Sequence, residues 1–117
     1  MLNKRNFYIN GKWVKPFQQN DFEVINPSNE ETCAVISLGN EEDVNSAVKA
    51  ANESFPRWSR VEKKYKISLI EKLYKIYESR WDEMTKLISL EMGAPLDWSS
   101  SAQTASGADH MKDFIKR

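Results

Sequence analysis

The chain has 117 residues with one cysteine and one histidine, and its 17 Lys and Arg residues balance its 17 Asp and Glu residues. A neutral chain of this length predicts at most one domain, and its charge balance gives no indication of nucleic-acid binding. The lone cysteine excludes an intrachain disulfide, and the first twenty residues hold no long apolar run, so we expect a cytoplasmic protein with no membrane partner.

Two β-hairpins are predicted at the start of the chain. The segment 7–14 has an Asn-Gly pair between two β-prone runs, which is a strong signal for a two-residue turn. The segment 21–38 has an alternating run, Asp21–Ile25, and a β-branched run, Thr32–Ile36, on either side of polar residues. It therefore predicts a second hairpin with a six-residue loop.

A first helix is predicted to begin after Asn40. Asn40 is a suitable N-cap, and the acidic residues 41–43 occupy the first turn, where the helix dipole favours carboxylates. Pro56 lacks a backbone donor, so the helix is expected to end at about Ser54 and Trp58 to lie in the following connection. The apolar residues at helical spacing are Val44, Ala47, Val48, Ala51 and Phe55.

The segment Val61–Met92 has the pattern of an amphipathic helix. Its apolar residues recur in steps of three and four, and no Gly or Pro interrupts it. Ser79 and Asp82 have the spacing of a capping box, which would divide the segment into two helices near Arg80. The Gly-Ala-Pro sequence that follows ends the segment. The main apolar stripe is Ile67, Ile70, Tyr74, Tyr77, Trp81, Met84 and Ile88.

A further helical segment is expected after Pro95, with small residues suited to close packing. The predicted fold class is therefore α+β, with two N-terminal β-hairpins (residues 7–38) followed by three or four packed helices (residues 40–115). The apolar surface of the helices is larger than two hairpins can cover. We expect an exposed patch larger than the roughly 300 to 600 Å² of a typical monomer.

The residues alone do not indicate an active site. A thiol nucleophile needs a base beside it, and the single histidine, His110, is far in sequence from Cys33. We therefore interpret Cys33 as a strand thiol and His110 as a surface or packing residue, a pair too sparse for zinc. The four glycines are scattered and form no phosphate-binding loop, and the Lys- and Tyr-containing run 63–77 is neutralised by glutamates.

Four motifs occur in order along the chain: F-Y-I-N-G-K-W at 7–13, I-N-P-S-N-E-E at 25–31, D-V-N-S-A-V-K-A-A at 43–51 and E-M-G-A-P at 91–95. Together they make the chain resemble the N-terminal portion of the NAD(P)-dependent aldehyde dehydrogenase superfamily. The family usually has glycine where this chain has Glu30. If that position requires a positive φ, the loop carries strain of about 1 kcal/mol.

The resemblance implies that residues 1–117 are an incomplete N-terminal segment of an aldehyde dehydrogenase cofactor domain. In this family a cysteine thiolate attacks the aldehyde and hydride passes to NAD or NADP, and the residues responsible lie beyond the matched motifs. The resemblance thus assigns this chain no catalytic and no cofactor-binding residue. It also implies that this segment is catalytically incompetent on its own. The complete enzyme would bind the aldehyde substrate and form a homo-oligomer.

The resemblance implies one site within this length, a monovalent-cation site found in some family members. Its ligands here would be the backbone carbonyls of Val24 and Ile25 and the carboxylate of Glu91, which are oxygen donors suited to a hard cation. A different hypothesis is a non-catalytic interaction module, which would bind a full-length homologue through its apolar helical face.

Overall fold

The strands come first along the chain and the helices follow, which confirms the predicted α+β class. The computed structural model describes residues 1–116. The strands are β1 (Leu2–Lys4), β2 (Phe7–Ile9), β3 (Lys12–Val14), β4 (Asp21–Asn26) and β5 (Glu31–Ser37). The helices are α1 (Glu41–Ser59), α2 (Lys63–Ser79), α3 (Trp81–Met92), α4 (Leu96–Trp98), a π-helix (Ser99–Thr104) and α5 (Ala105–Lys116).

The chain forms two units. The first contains residues 1–25 and 30–60, and the second contains residues 26–29 and the chain from residue 61 onward. The first unit therefore holds α1 and the strands except for Asn26, the last residue of β4, and the second holds the remaining helices with residues 26–29. Within residues 1–116, no helix has the combination of length and apolar character that crossing a membrane requires.

The first predicted hairpin is confirmed. Strands β2 and β3 pair antiparallel, with Phe7 opposite Val14 and Ile9 opposite Lys12. Asn10 and Gly11 have φ angles of 52° and 74°, the left-handed conformation that a two-residue type I′ turn requires at both central positions. The Asn-Gly pair thus specifies the turn because these residues enter that region at low cost.

The second hairpin is also confirmed, but its loop is shorter than predicted. Strands β4 and β5 are neighbours in a three-stranded sheet of order β1-β5-β4. Strand β4 ends at Asn26 and strand β5 begins at Glu31, so the loop between them has four residues, 27–30, rather than six. The sheet also includes a strand that we did not predict, β1, which pairs parallel to β5 with Leu2 opposite Ala34.

Helix α1 starts as predicted and is fixed by a reciprocal capping box. The Asn40 side chain accepts a hydrogen bond from the backbone N–H of Asp43 at 3.1 Å, and the Asp43 carboxylate accepts one from the N–H of Asn40 at 3.0 Å. The same carboxylate accepts a second hydrogen bond, from the N–H of Phe17, at 2.8 Å. Asp43 is buried, so it connects the start of the helix to the segment after the first hairpin.

The predicted end of α1 at Ser54 is wrong, and so is the placement of Trp58 in a connection. The helix continues through Pro56 to Ser59, and Trp58 lies in its last turn. Pro56 cannot donate to the carbonyl four residues earlier, but its fixed φ is compatible with a helix. Pro56 lies one turn before the C-terminal end of α1, so the helix loses a single hydrogen bond there and continues to Ser59.

Helices α2 and α3 confirm the division of the long amphipathic segment at Arg80, which has φ −111° and ψ 19°. The predicted Ser79 and Asp82 capping box is wrong, because no side chain caps α3 and the Ser79 hydroxyl instead donates to the carbonyl of Ile76 at 2.8 Å. The guanidinium of Arg80 binds the carboxylate of Glu83 through two hydrogen bonds of 2.7 Å. Helix α3 ends at Gly93, as predicted, with φ 71°.

The helical segment after Pro95 is continuous but contains the π-helix between α4 and α5. The α5 helix packs against α2, and the π-helix packs against α3. Ala108 is only 1% exposed, and a Cβ added to Gly107 would lie 2.7 Å from the Tyr77 hydroxyl oxygen. The expectation that small residues here permit close helix packing is therefore confirmed.

Candidate functional site

The three residues of the predicted cation site lie on two elements. Val24 and Ile25 are consecutive on β4 in the first unit, and Glu91 is an exposed residue near the end of α3 in the second unit. The carbonyl of Val24 accepts a hydrogen bond from the Cys33 thiol at 3.3 Å. The cation site stays a prediction.

No cluster of three or more His, Cys, Asp or Glu side chains that could hold a metal ion occurs within residues 1–116. The predicted cation site uses two backbone carbonyls and one carboxylate, so this finding does not test it. Cys33 lies half-buried on β5, and His110 is exposed on α5 in the other unit. The thiol has a carbonyl partner on the neighbouring strand, as expected of a residue that packs within a sheet.

Two of the sequence motifs meet in the second unit. The turn at Asn26 and Pro27 is stabilised by its own residues, because the Asn26 side chain accepts a hydrogen bond from the N–H of Ser28 at 2.9 Å. A Cβ added to Gly93 would lie 2.8 Å from the Pro27 Cγ atom. Two features therefore require glycine at position 93: its positive φ and the close approach of Pro27 to the end of α3.

A seam of buried hydroxyl groups joins α3 to the π-helix. Thr85 and Thr104 are both buried, and their hydroxyl oxygens are 3.0 Å apart. The Tyr77 hydroxyl donates to the carbonyl of Thr104 at 2.9 Å, and the Trp81 indole N–H donates to the Ser100 hydroxyl at 2.9 Å. These bonds satisfy polar groups inside the helical unit and fix the π-helix in place.

An apolar groove lies beside the break between α2 and α3. Its volume is about 160 Å³, and its apolar walls are Leu73, Ile76, Met84 and Leu87. The ion pair between Arg80 and Glu83 borders it. Leu73 and Ile76 are 50% and 54% exposed, so half of each large side chain has no cover within residues 1–116. Of the main apolar stripe predicted from sequence, Tyr77 and Met84 line this groove, and its other apolar walls lie beside that stripe.

The fold is that of the N-terminal region of solved structures from one enzyme family. Residues 13–117 match the family model described as the aldehyde dehydrogenase family, and this chain belongs to that family. It corresponds to the N-terminal portion of the family's members.

Among characterised relatives, 3-succinoylsemialdehyde-pyridine dehydrogenase from Pseudomonas sp. is 47% identical over 96 residues, which are 82% of this chain and 20% of that protein. An aldehyde dehydrogenase structure from Bartonella henselae is 49% identical, with a TM-score of 0.97 over 99% of this chain and 24% of that one. Aldehyde dehydrogenase C from Pseudomonas syringae, solved with NAD+ and octanal, is 31% identical with a TM-score of 0.92, over 97% of this chain and 24% of that one. This chain therefore spans between a fifth and a quarter of the length of these relatives.

Proposed function

We propose that residues 1–117 are the N-terminal segment of an NAD(P)-dependent aldehyde dehydrogenase and do not oxidise aldehydes on their own. The complete enzyme would convert an aldehyde to a carboxylic acid with NAD or NADP. The observation that supports this most strongly is the fit to the Bartonella henselae structure, which includes 99% of this chain but only 24% of that protein. The relative from Pseudomonas syringae, solved with NAD+ and octanal, supports the cofactor and the substrate class.

The test of incompetence is a turnover assay on the 117-residue chain. The chain is incubated with NAD+ or NADP+ and a series of aliphatic and aromatic aldehydes, and the reduced nicotinamide is measured by its absorbance. We expect no rate above that of buffer, because the only thiol, that of Cys33, donates its hydrogen bond to a backbone carbonyl, which cannot act as a base. A rate that disappears in Cys33→Ala would refute the proposal.

We propose that the carbonyls of Val24 and Ile25 and the carboxylate of Glu91 bind a monovalent cation. The chemical suitability of three oxygen donors supports this. Sodium NMR line broadening on the full chain tests it, with Glu91→Gln as the variant and Glu71→Gln, an exposed glutamate of α2, as the matched control. We expect Glu91→Gln to abolish the broadening and Glu71→Gln to preserve it. Equal broadening in both variants would exclude the site.

A second candidate function is an interaction module that binds a full-length homologue. The half-exposed Leu73 and Ile76 of the apolar groove favour it. The complete Bartonella henselae enzyme is a suitable bait, because it is 49% identical to this chain. We expect Leu73→Ser with Ile76→Ser to abolish capture, whereas Lys72→Ser with Lys75→Ser preserves it. Failure of the unaltered chain to bind would eliminate the module.

We also propose that the complete enzyme is a cytoplasmic homo-oligomer, as the family resemblance implies. Fractionation of cells that express the complete protein tests the location, and size-exclusion chromatography tests the assembly. A complete enzyme that elutes as a monomer would overturn the second part of this proposal.

A further inference from the structure

A basic cleft of about 720 Å³ lies on the first unit, and its lining includes no residue of the proposed cation site. Its polar and aromatic lining consists of three cations (Lys4, Arg5 and Lys15), three amides (Asn3, Asn6 and Gln19) and the indole of Trp13. We propose that this cleft binds a small organic anion that carries an aromatic ring, of which an aryl phosphate is the simplest form. This proposal does not rest on the enzymatic assignment.

The charge of the cleft is the first argument. None of its lining residues is acidic, although the whole chain has equal numbers of acidic and basic residues. Arg5 is neutralised from outside the lining by Asp21, which accepts two hydrogen bonds from its guanidinium at 2.8 and 2.9 Å. Lys4 and Lys15 have no ion-pair partner within residues 1–116. The cleft thus keeps two uncompensated positive charges, which suits a dianion.

Trp13 is the second argument, because it offers a flat apolar surface beside those charges. It projects from β3 and is 71% exposed. The ring of Tyr8 on the paired strand contacts it edge-on, with a centroid separation of 5.2 Å and an interplanar angle of 61°. This contact supports one side of the indole and leaves most of its surface open for stacking with a ligand ring.

The position of Asp21 is the third argument, because it organises the wall of the cleft. Its carboxylate accepts a hydrogen bond from the Gln19 side-chain amide at 3.0 Å in addition to those from Arg5. Arg5 and Gln19 are therefore held in place before a ligand arrives, which lowers the entropic cost of binding. The volume of the cleft lies within the range of about 300 to 1,000 Å³ found for small-molecule sites.

The probe is phenyl phosphate, titrated into the full chain at low ionic strength and followed by backbone amide NMR shifts. We expect the largest shifts at residues lining the cleft, and weaker binding as salt is added, because exposed charges are screened. Inorganic phosphate and phenol are expected to bind at least about fivefold more weakly than phenyl phosphate, because phosphate has no ring to stack on Trp13 and phenol has no phosphate to bind the lysines. Phosphate that binds as tightly as phenyl phosphate would refute the aromatic contribution.

Two matched pairs of variants locate the site. Lys15→Gln is expected to weaken phenyl phosphate binding about two- to fivefold. Lys12→Gln removes the same charge from β3 but lies outside the cleft lining, so it should change nothing. Trp13→Ala should weaken binding by about fivefold or more, whereas Phe17→Ala, another exposed aromatic outside the lining, should not.

The lysine variants keep the proposal falsifiable if Trp13→Ala disturbs the hairpin, because Lys15 is exposed and its replacement leaves the fold intact. Circular dichroism of every variant checks this. Equal loss of affinity in Lys12→Gln and Lys15→Gln would mean nonspecific attraction and would overturn the proposal. Absence of shifts in the unaltered chain at millimolar phenyl phosphate would overturn it as well.

Discussion

Glu30 is a non-glycine residue with a φ of 61°, in the loop between β4 and β5. The sequence comparison with the family anticipated glycine at this position, and the positive φ explains why. We predict that Glu30→Gly stabilises the chain by up to about 1 kcal/mol, because relief of left-handed strain exceeds the added entropy of the unfolded chain.

Chemical denaturation measures this change. The matched control is Glu31→Gly, one residue further on in β5, where φ is not positive and glycine weakens the strand. The control should lose about 0.5 to 1 kcal/mol. A loss of stability in both variants would show that the Glu30 side chain contributes more than its backbone costs.

The ion pair between Asp21 and Arg5 makes the stability of the first unit depend on pH in the acid range. Hydrogen bonds from the Arg5 guanidinium, its largest influence, lower the pKa of Asp21 below its ordinary value of 3.8. A depressed pKa means that the pair contributes stability above the unfolded value and loses that contribution as the pH falls below 3.8. Both groups are solvent-accessible, so the effect is small.

We predict that Arg5→Gln returns the pKa of Asp21 toward its ordinary value, measured by NMR titration of the carboxyl carbon. Replacement of another cation near the cleft, Lys4→Gln, serves as the control, because Lys4 makes no ion pair with Asp21. An unchanged Asp21 titration in Arg5→Gln would contradict the assignment of the shift to this pair.

At the scale of the helices, Gly107 governs how closely α5 approaches α2. Alanine is the better helix former by about 1 kcal/mol, so Gly107→Ala would stabilise an isolated helix. Here the new Cβ would lie 2.7 Å from the Tyr77 hydroxyl oxygen, which donates to the carbonyl of Thr104. We predict a net loss of stability of about 1 to 3 kcal/mol from this overpacking.

The double variant separates the two effects. Tyr77→Phe removes the clashing oxygen and leaves the ring carbon Cζ at 3.1 Å from the new Cβ, so Gly107→Ala should cost less in that background than in the unaltered chain. Thermal and chemical unfolding of the two single variants and the double variant give the coupling energy. Additive losses would show that the Tyr77 hydroxyl is not what constrains Gly107.

The elements show how far sequence reasoning extends in this chain. Local signals succeeded where the cause is local, as for the turn at Asn10 and Gly11 and the αL end of α3 at Gly93. The strand β1 was missed because its parallel partner, β5, lies about thirty residues away and nothing within Leu2–Lys4 indicates the pairing. Pro56 was misinterpreted because its cost depends on how close the end of the helix lies.

The polar features of the second unit were not predicted, for a related reason. Periodicity identifies apolar stripes, whereas the buried seam consists of hydroxyl groups such as those of Thr85 and Thr104. Serine and threonine within a helix are usually exposed, so only contact with another helix makes them interior residues. The three consecutive serines at 99–101, three residues before Thr104, are the one sequence signal that could have indicated this seam.

At the scale of the whole chain, burial is sparse. Within residues 1–116 the buried apolar residues are Ala34, Val35 and Ala108, whereas Leu73, Ile76 and many other large apolar side chains are exposed. We predict that the chain binds a dye specific for apolar surface and associates with itself as concentration rises, because exposed apolar area favours contact.

Fluorescence of the bound dye and sedimentation measure these two properties. Leu73→Ser with Ile76→Ser should lower both, and the neighbouring pair Lys72→Ser with Lys75→Ser is the control that leaves the groove intact. A chain that stays monomeric at high concentration without binding dye would contradict the prediction, and the expected patch size with it.

The π-helix at Ser99–Thr104 affects whether this chain can lose a residue during evolution. A π-helix accommodates one more residue per turn than an α-helix, so deleting one residue there would restore regular hydrogen bonding locally. Because the extra residue is absorbed within the widened turn, the helix after it keeps its phase, and the deletion would leave Gly107 and Ala108 facing α2. The deletion would instead disturb the hydroxyl groups of Ser100 and Thr104, which bond Trp81 and Thr85. Loss of one residue here would regularise the local helix but break the buried hydroxyl seam, so the seam is what retains the irregularity.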